Sequence, residues 1–263
     1  MTACPDTDFD PDRVAPYWLG DGERGVLLLH GFAGTPPELR RLGERLAGAG
    51  FLVHAPLLAG HGTRPQALAR TTHRDWIASA NAGLDQLLRR CPVVGVAGQS
   101  AGGTLALHLA ATRPEVRAVV TQAALLGLGD WRIRLLPALH GVVRWHRPGD
   151  GVDLYEPAAA QLLLSYRRRP TIAILELDRL ARLVRRELPG VVQPTLVLHG
   201  GRDGVVDPAN ADEIVGRIGS AVRALHRFER SGHALSVDVD RDQVAQLATR
   251  WLREHVPPAL PRG

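Results

Sequence analysis

The chain has 263 residues, 45% of them hydrophobic and 22% charged, enough to bury about three quarters of its unfolded surface without a disulfide or metal staple. Its formal net charge is +5 with a pI near 10.1, yet every basic side chain is arginine, and the segment from Trp131 to Gly190 carries 11 arginines against six acidic residues while the remainder balances. That distribution argues against a nucleic-acid groove, and no apolar run reaches the ~18 residues of a membrane span.

The first dozen residues, with Asp6, Asp8, Asp10 and Asp12, have the wrong charge and hydrophobicity for a secretory signal. Cys4 and Cys91 form no disulfide framework and lack metal-ligand spacing. The expectation is a cytoplasmic protein without metal or organic cofactor. Moving along the chain, short apolar runs at Gly25 to His30, Phe51 to Leu57, Val93 to Gln99, Ala118 to Ala123, Thr195 to Gly200 and Ala221 to Phe228 read as strands covered on both faces. Helical patterns lie between and after them at Pro36 to Ala49, Asp75 to Arg90, Ala101 to Thr112, Pro208 to Ile218 and Asp240 to His255. Alternation of this kind predicts one α/β domain over residues 1–263, a doubly wound, mostly parallel sheet wrapped by helices.

The rhythm breaks once. About 70 residues separate the strand ending near Ala124 from the one starting at Thr195, too many for a single crossover helix. The segment 126–192 is therefore read as an insertion, a helical lid. It holds the apolar, arginine-rich stretch Trp131 to Trp145, a turn at Pro148 to Gly151, and an amphipathic helix from Thr171 to Leu188 with Ile174, Leu177, Leu180, Val184 and Leu188 on one stripe.

The sequence GQSAGG places Ser100 in G-x-S-x-G between a strand and a helix. Such an elbow needs small residues where the chain turns, and it thrusts the serine above the sheet at a helix N-terminus. Serine is a weak nucleophile unless an imidazole takes its proton. Among the 11 histidines, His30 and His199 end strands and His108 and His255 sit in helices, whereas His233 occupies the loop after the final strand. An acid must orient that imidazole. Asp203 lies just past the strand Thr195 to Gly200; Asp207 precedes Pro208 and reads as a helix cap, and Asp130, after the earlier strand, is the remaining rival. Two backbone N–H groups must face the developing oxyanion. Ala101, after the serine, supplies one, and Phe32 in the glycine-rich bend HGFAGTP is the candidate for the other.

Together, HGFAGTP, GHGT at Gly60 to Thr63, the THRDW stretch ending at Asp75-Trp76, GQSAGG, LHGGRDGVVDP and SGH resemble the α/β-hydrolase superfamily from about Arg24 to His255. They are similar to its bacterial carboxylesterase and monoacylglycerol lipase group. The resemblance implies an α/β-hydrolase fold, a Ser100, Asp203, His233 triad, an oxyanion hole from the Phe32 and Ala101 amides, and a compact lid over an acyl pocket. An insertion of about 70 residues rich in Leu, Ile and Val predicts a compact roof over an apolar pocket for one acyl chain, hence hydrolysis of short to medium acyl esters or monoacylglycerols through an acyl-enzyme; its arginines read as a solvated face, with a transient lipid-surface contact through the lid as the alternative. Ala101 departs from the group, which commonly has a bulkier residue there, often Met. Perhydrolase, C–C bond hydrolase and peptidase chemistry use the same three residues, and a non-catalytic ligand-binding protein is a further alternative. A serine at position 100 argues against the branches that attack with a carboxylate.

Overall fold

The computed structural model describes residues 9–128, 143–147 and 153–258. The apolar runs and one further strand form a seven-stranded sheet: β1 (Tyr17–Leu19), β2 (Arg24–Leu29), β3 (Phe51–Ala55), β4 (Val93–Gln99), β5 (Val116–Gln122), β6 (Thr195–Gly200) and β7 (Arg223–Phe228). Their spatial order is β1-β3-β2-β4-β5-β6-β7. Only β1 runs antiparallel to its neighbour. It went unread in the sequence because three residues after a proline carry no periodicity; Trp18 there stacks on the His54 ring at 3.9 Å.

Side chains alternate across each strand, and both faces are covered. Val26, Leu28, Val53 and Val120 pack with α1 (Arg40–Gly48) and α6 (Arg241–His255). Leu27, Leu29, Val96, Val119 and Val197 pack with α2 (His73–Leu88), α3 (Ala101–Thr112), α4 (Thr171–Glu187) and α5 (Ala209–Arg217). The doubly wound reading holds, with adjustments at element ends. The helix expected from Pro36 opens as a 3-10 turn, Pro36–Leu39, in which Glu38 N–H donates to the Thr35 carbonyl at 3.2 Å. The helix expected from Asp75 begins at His73, because Asp75 is the third residue of a capping box whose Thr72 is the cap. Strand β3 stops before Pro56. Strand β7 is a half-exposed edge rather than a strand covered on both faces.

The segment 126–192 is not uniform. Helix α4 buries Ala173, Leu177, Leu180, Ala181 and Val184 in the same core as α3, so it occupies the layer of a crossover helix between β5 and β6. His73 Nδ1 to Glu176 at 2.6 Å and His108 Nδ1 to Glu187 at 2.7 Å bind it to α2 and α3. Ahead of it lie a 3-10 turn, Pro157–Leu162, and a two-residue antiparallel ladder joining Trp145–His146 to Arg169–Pro170. Most of Trp131 to Trp145, the turn at Pro148 to Gly151, Cys4 and Asp130 lie outside the described residues. Among the described residues, no helix is long and apolar enough to cross a membrane.

Candidate active site

Four parallel strands, β2, β4, β5 and β6, deliver their C-terminal ends to one edge of the sheet, where crossover connections leave a crevice. Ser100 stands there between β4 and α3 with φ 54° and ψ −119°, a backbone conformation that non-glycine residues rarely hold. Its amide donates to the Gln122 carbonyl of β5 at 2.7 Å, which fixes the elbow. The flanking glycines are sterically required: a Cβ on Gly98 would run into the Gly102 carbonyl, and one on Gly102 into the Leu29 carbonyl.

His233 Nε2 lies 3.0 Å from Ser100 Oγ, and His233 Nδ1 lies 2.9 Å from Asp203 Oδ2. The relay Asp203, His233, Ser100 that the sequence suggested is thus continuous in hydrogen bonds. Asp203 is 7% exposed, and burial by itself would raise its pKa; hydrogen bonds from His199 and His233 overcome that and hold the carboxyl well below the usual carboxylate range. His199 Nε2 lies 3.1 Å from the same Oδ2, while Oδ1 accepts the Val205 and Val206 amides at 2.9 and 2.8 Å. Asp207 is elsewhere engaged: its Oδ1 accepts the Ala209 amide at the start of α5, as a capping residue does.

The His233 loop is strapped from outside. Asp153 Oδ2 accepts the His233 amide at 3.0 Å and the Gly204 amide at 2.9 Å. Buried Asp238 accepts Gly232 N–H through one oxygen and the Tyr155 and Glu156 amides through the other. Gln99 Nε2 donates to the His233 carbonyl at 2.7 Å.

On the other side of Ser100, the loop after β2 turns through Gly31 to Thr35, closed by Gly34 N–H on the Gly31 carbonyl at 3.1 Å and with Ala33 at φ 61°. Ala101 opens α3, where N–H groups lack intrahelical partners and the helix dipole favours negative charge. Among the described residues, neither the Phe32 nor the Ala101 amide meets an acceptor. The remaining motifs meet behind this loop: the Phe32, His61 and Trp76 rings pack edge to face, with centroids 5.7 to 6.3 Å apart. His30 is buried beside them; desolvation and the neighbouring His61 depress its pKa to about 3. Because Leu58 N–H donates to its Nε2, its Nδ1 carries the proton, donated to the Gly31 carbonyl at 2.9 Å.

Sequence reasoning missed Glu38, Asp153, His199 and Asp238. His199 was set aside because it ends a strand, although that places it above the sheet edge; Glu38 is marked locally only as the fourth residue of the helix-start pattern Thr35-Pro36-Pro37-Glu38, and nothing local marks Asp153 or Asp238. Among the described residues, no three of His, Cys, Asp and Glu are grouped as around a metal ion.

The family model described as serine aminopeptidase, S33 matches residues 21–240. The thermostable monoacylglycerol lipase of Bacillus sp. (strain H-257) is 34% identical over 240 residues, covering 91% of this chain and 94% of that protein. A carboxylesterase of Bacillus subtilis (strain 168) is 27% identical, covering 91% and 96%. A solved structure from the metagenome-derived lipolytic enzymes LipS and LipT superposes with a TM-score of 0.87 at 31% identity, covering 92% of this chain and 98% of that one.

Proposed function

The chain belongs to the serine aminopeptidase, S33 family, with the α/β-hydrolase fold, and from that premise we propose that it is a serine hydrolase of carboxyl esters, acting on short to medium acyl esters or monoacylglycerols. The observation that carries the reading is the unbroken contact from Asp203 through His233 to Ser100 Oγ, with two unengaged amides on either side of the serine. Similarity to the Bacillus monoacylglycerol lipase and carboxylesterase narrows the chemistry to esters.

In this mechanism His233 Nε2 takes the Ser100 proton as Oγ attacks the acyl carbon. The tetrahedral oxyanion is met by the Phe32 and Ala101 amides, and ionised Asp203 stabilises the imidazolium. The imidazolium then protonates the leaving alcohol, and water, activated by the same imidazole, releases the acid from the acyl-enzyme. An aminopeptidase would need carboxylates to hold a substrate ammonium. The arginine excess of the segment preceding Thr195 disfavours that reading. The part of 126–192 ahead of α4 would serve as the lid over the acyl chain, each buried methylene contributing ~0.8 kcal/mol until the pocket is filled.

Ser100→Ala should lower turnover on the order of 10⁶-fold with the melting temperature kept. The check is a panel of p-nitrophenyl esters and monoacylglycerols of graded chain length, with a fluorophosphonate label on the wild type. Residual turnover near the wild-type rate would refute the assignment. Efficient cleavage of emulsified long-chain triacylglycerol would refute the substrate class.

A further inference from the structure

Glu38 is the buried carboxyl that this mechanism does not use. It sits in the 3-10 turn Pro36–Leu39, only 6% exposed, and its Oε1 accepts the Gly31 amide at 2.5 Å. The loop is shaped around it. A Cβ placed on Gly34 would collide with Glu38 Oε2, and one on Gly31 would stand 3.3 Å from Oε1 and 3.5 Å from the Ser100 Cβ. The carboxyl therefore fills the space beneath the turn, one residue away from the amide assigned to the oxyanion.

The outer side of the same loop is held by residues that precede α4. Tyr166 N–H donates to the Ala33 carbonyl at 3.1 Å, and Thr35 Oγ1 donates to the Leu164 carbonyl at 3.1 Å. Tyr166 Oη in turn donates to the Gly60 carbonyl and accepts Thr63 N–H. These contacts hold Ala33 and Thr35; at the N-terminal half of the turn the Gly31 carbonyl accepts His30 Nδ1–H and Gly34 N–H, which leaves the Gly31 amide to be held from within. Among the described residues, Glu38 is the side chain that takes a backbone hydrogen bond from that half.

We propose that Glu38 is the positioning residue of the oxyanion loop: by anchoring Gly31 N–H from below, it turns the following peptide so that Phe32 N–H faces the acyl oxygen above Ser100. This rests on the ester-hydrolase reading. It assigns Glu38 no contact with substrate and no proton transfer. The fitting shape of Gly31 and Gly34 and the burial of the carboxyl follow from one role, since the amide that leads into the aimed Gly31–Phe32 peptide is gripped by a group that cannot move. Burial also pushes the carboxyl up to about 7, with the Gly31 and Thr35 amides working the other way. The neutral form, which keeps a carbonyl acceptor for Gly31, is therefore accessible near neutral pH and adds no negative charge beside the developing oxyanion.

Glu38→Leu keeps bulk but removes the acceptor, Glu38→Asp keeps the acid but withdraws it by one methylene, and Glu38→Gln keeps both reach and acceptor. Removing an oxyanion donor outright costs about 10² to 10³ in turnover. A misaimed donor should cost about 10- to 100-fold in Glu38→Leu and Glu38→Asp, in kcat with KM unchanged, with Glu38→Gln within about fivefold of wild type. Affinity for a trifluoromethyl ketone, which forms a tetrahedral oxyanion on the serine, should fall in step with kcat. If Glu38→Leu does not fold, the Glu38→Asp and Glu38→Gln pair decides. Wild-type kcat in folded Glu38→Leu or Glu38→Asp, or a loss of kcat without loss of ketone affinity, overturns the proposal. Failure of the underlying reading looks different: there the wild type cleaves no ester, or Ser100→Ala remains active.

Discussion

Two buried carboxyls flank Ser100, and they meet opposite fates. Asp203, past β6, receives the imidazoles of His233 and His199 and the amides of Val205 and Val206, and it is held ionised well below the ordinary carboxylate range despite its burial. Glu38, past β2, is as deeply buried, but burial prevails over the Gly31 and Thr35 amides and drives it up to about 7. Depth alone does not set the charge of a buried acid. The number and charge of the donors around it do. That contrast fits the two roles: the acid arm needs a permanent anion to stabilise an imidazolium, whereas the oxyanion arm is better served by a group that need not carry charge.

Removing the permanent anion has the largest expected effect. Asp203→Asn keeps shape but donates where it should accept, which leaves His233 without its ionic partner, and turnover should fall about 10⁴-fold with KM little changed. Kinetics on a p-nitrophenyl ester read this directly. Near-normal turnover there, with the loss appearing in Asp130→Asn instead, would move the acid to the end of β5.

Why Asp203 could be read from the sequence and Glu38 could not is a matter of locality. Ser100, Ala101 and Phe32 belong to turns whose glycines are contiguous with a strand, so their geometry is written within a few residues. His233 and Asp203 follow from chain order and from lying just beyond strands. Glu38 reads as an ordinary polar residue in a helix's first turn, and its burial comes from a loop folding back over it across seven residues. Asp153 is less legible still: its two partners lie 51 and 80 residues away, on different loops. The sheet was legible for the same reason as the elbow, since β2, β4 and β6 are apolar on both faces. Of the edge strands, β1 was not, because it is three residues long, while β7 was read as a strand but not as the half-exposed edge it forms.

The two carboxyls also differ in how they bear on stability. The folded pKa of Glu38, about 7, stands above its ordinary 4.5, so its neutral form favours folding: that contribution is fully present below pH 4.5 and is lost as pH rises through about 7. Between these limits the unfolded chain ionises while the native one stays protonated. The loss relative to Glu38→Gln should total ~3 kcal/mol, at 1.36 kcal/mol per pKa unit. Groups packed nearby do not mask it: burial pushes the Tyr17 phenol upward, and His30 and His61, depressed to about 3 and about 4, stay neutral in the folded protein while they titrate in the unfolded chain, a contribution common to wild type and Glu38→Gln that cancels in their difference. Urea unfolding of wild type and Glu38→Gln at several pH values between 4.5 and 8 gives the difference. Parallel curves would mean that Glu38 is ionised throughout and that the two carboxyls are alike.

The smallest expected effect concerns what holds the acid arm in place. A single oxygen of Asp153 accepts one amide from the loop of Asp203 and one from His233 itself, so the segment preceding α4 fastens the acid and the base to each other. Hydrogen bonds to a charged group are worth about 1.5 to 3 kcal/mol each, but Asp153 is partly exposed and water can replace it at both amides. Asp153→Ala should therefore cost about 1 to 2 kcal/mol in stability and lower kcat about tenfold, by loosening the separation of Asp203 and His233 rather than by changing their charges. Asp153→Asn, which retains an acceptor oxygen, should lie between the two in both readouts. Melting curves and kcat measured side by side separate the cases. If Asp153→Ala lowers stability alone, with kcat intact, then Asp203 and His233 hold their own spacing, and the acid arm is as self-sufficient as its four donors suggest.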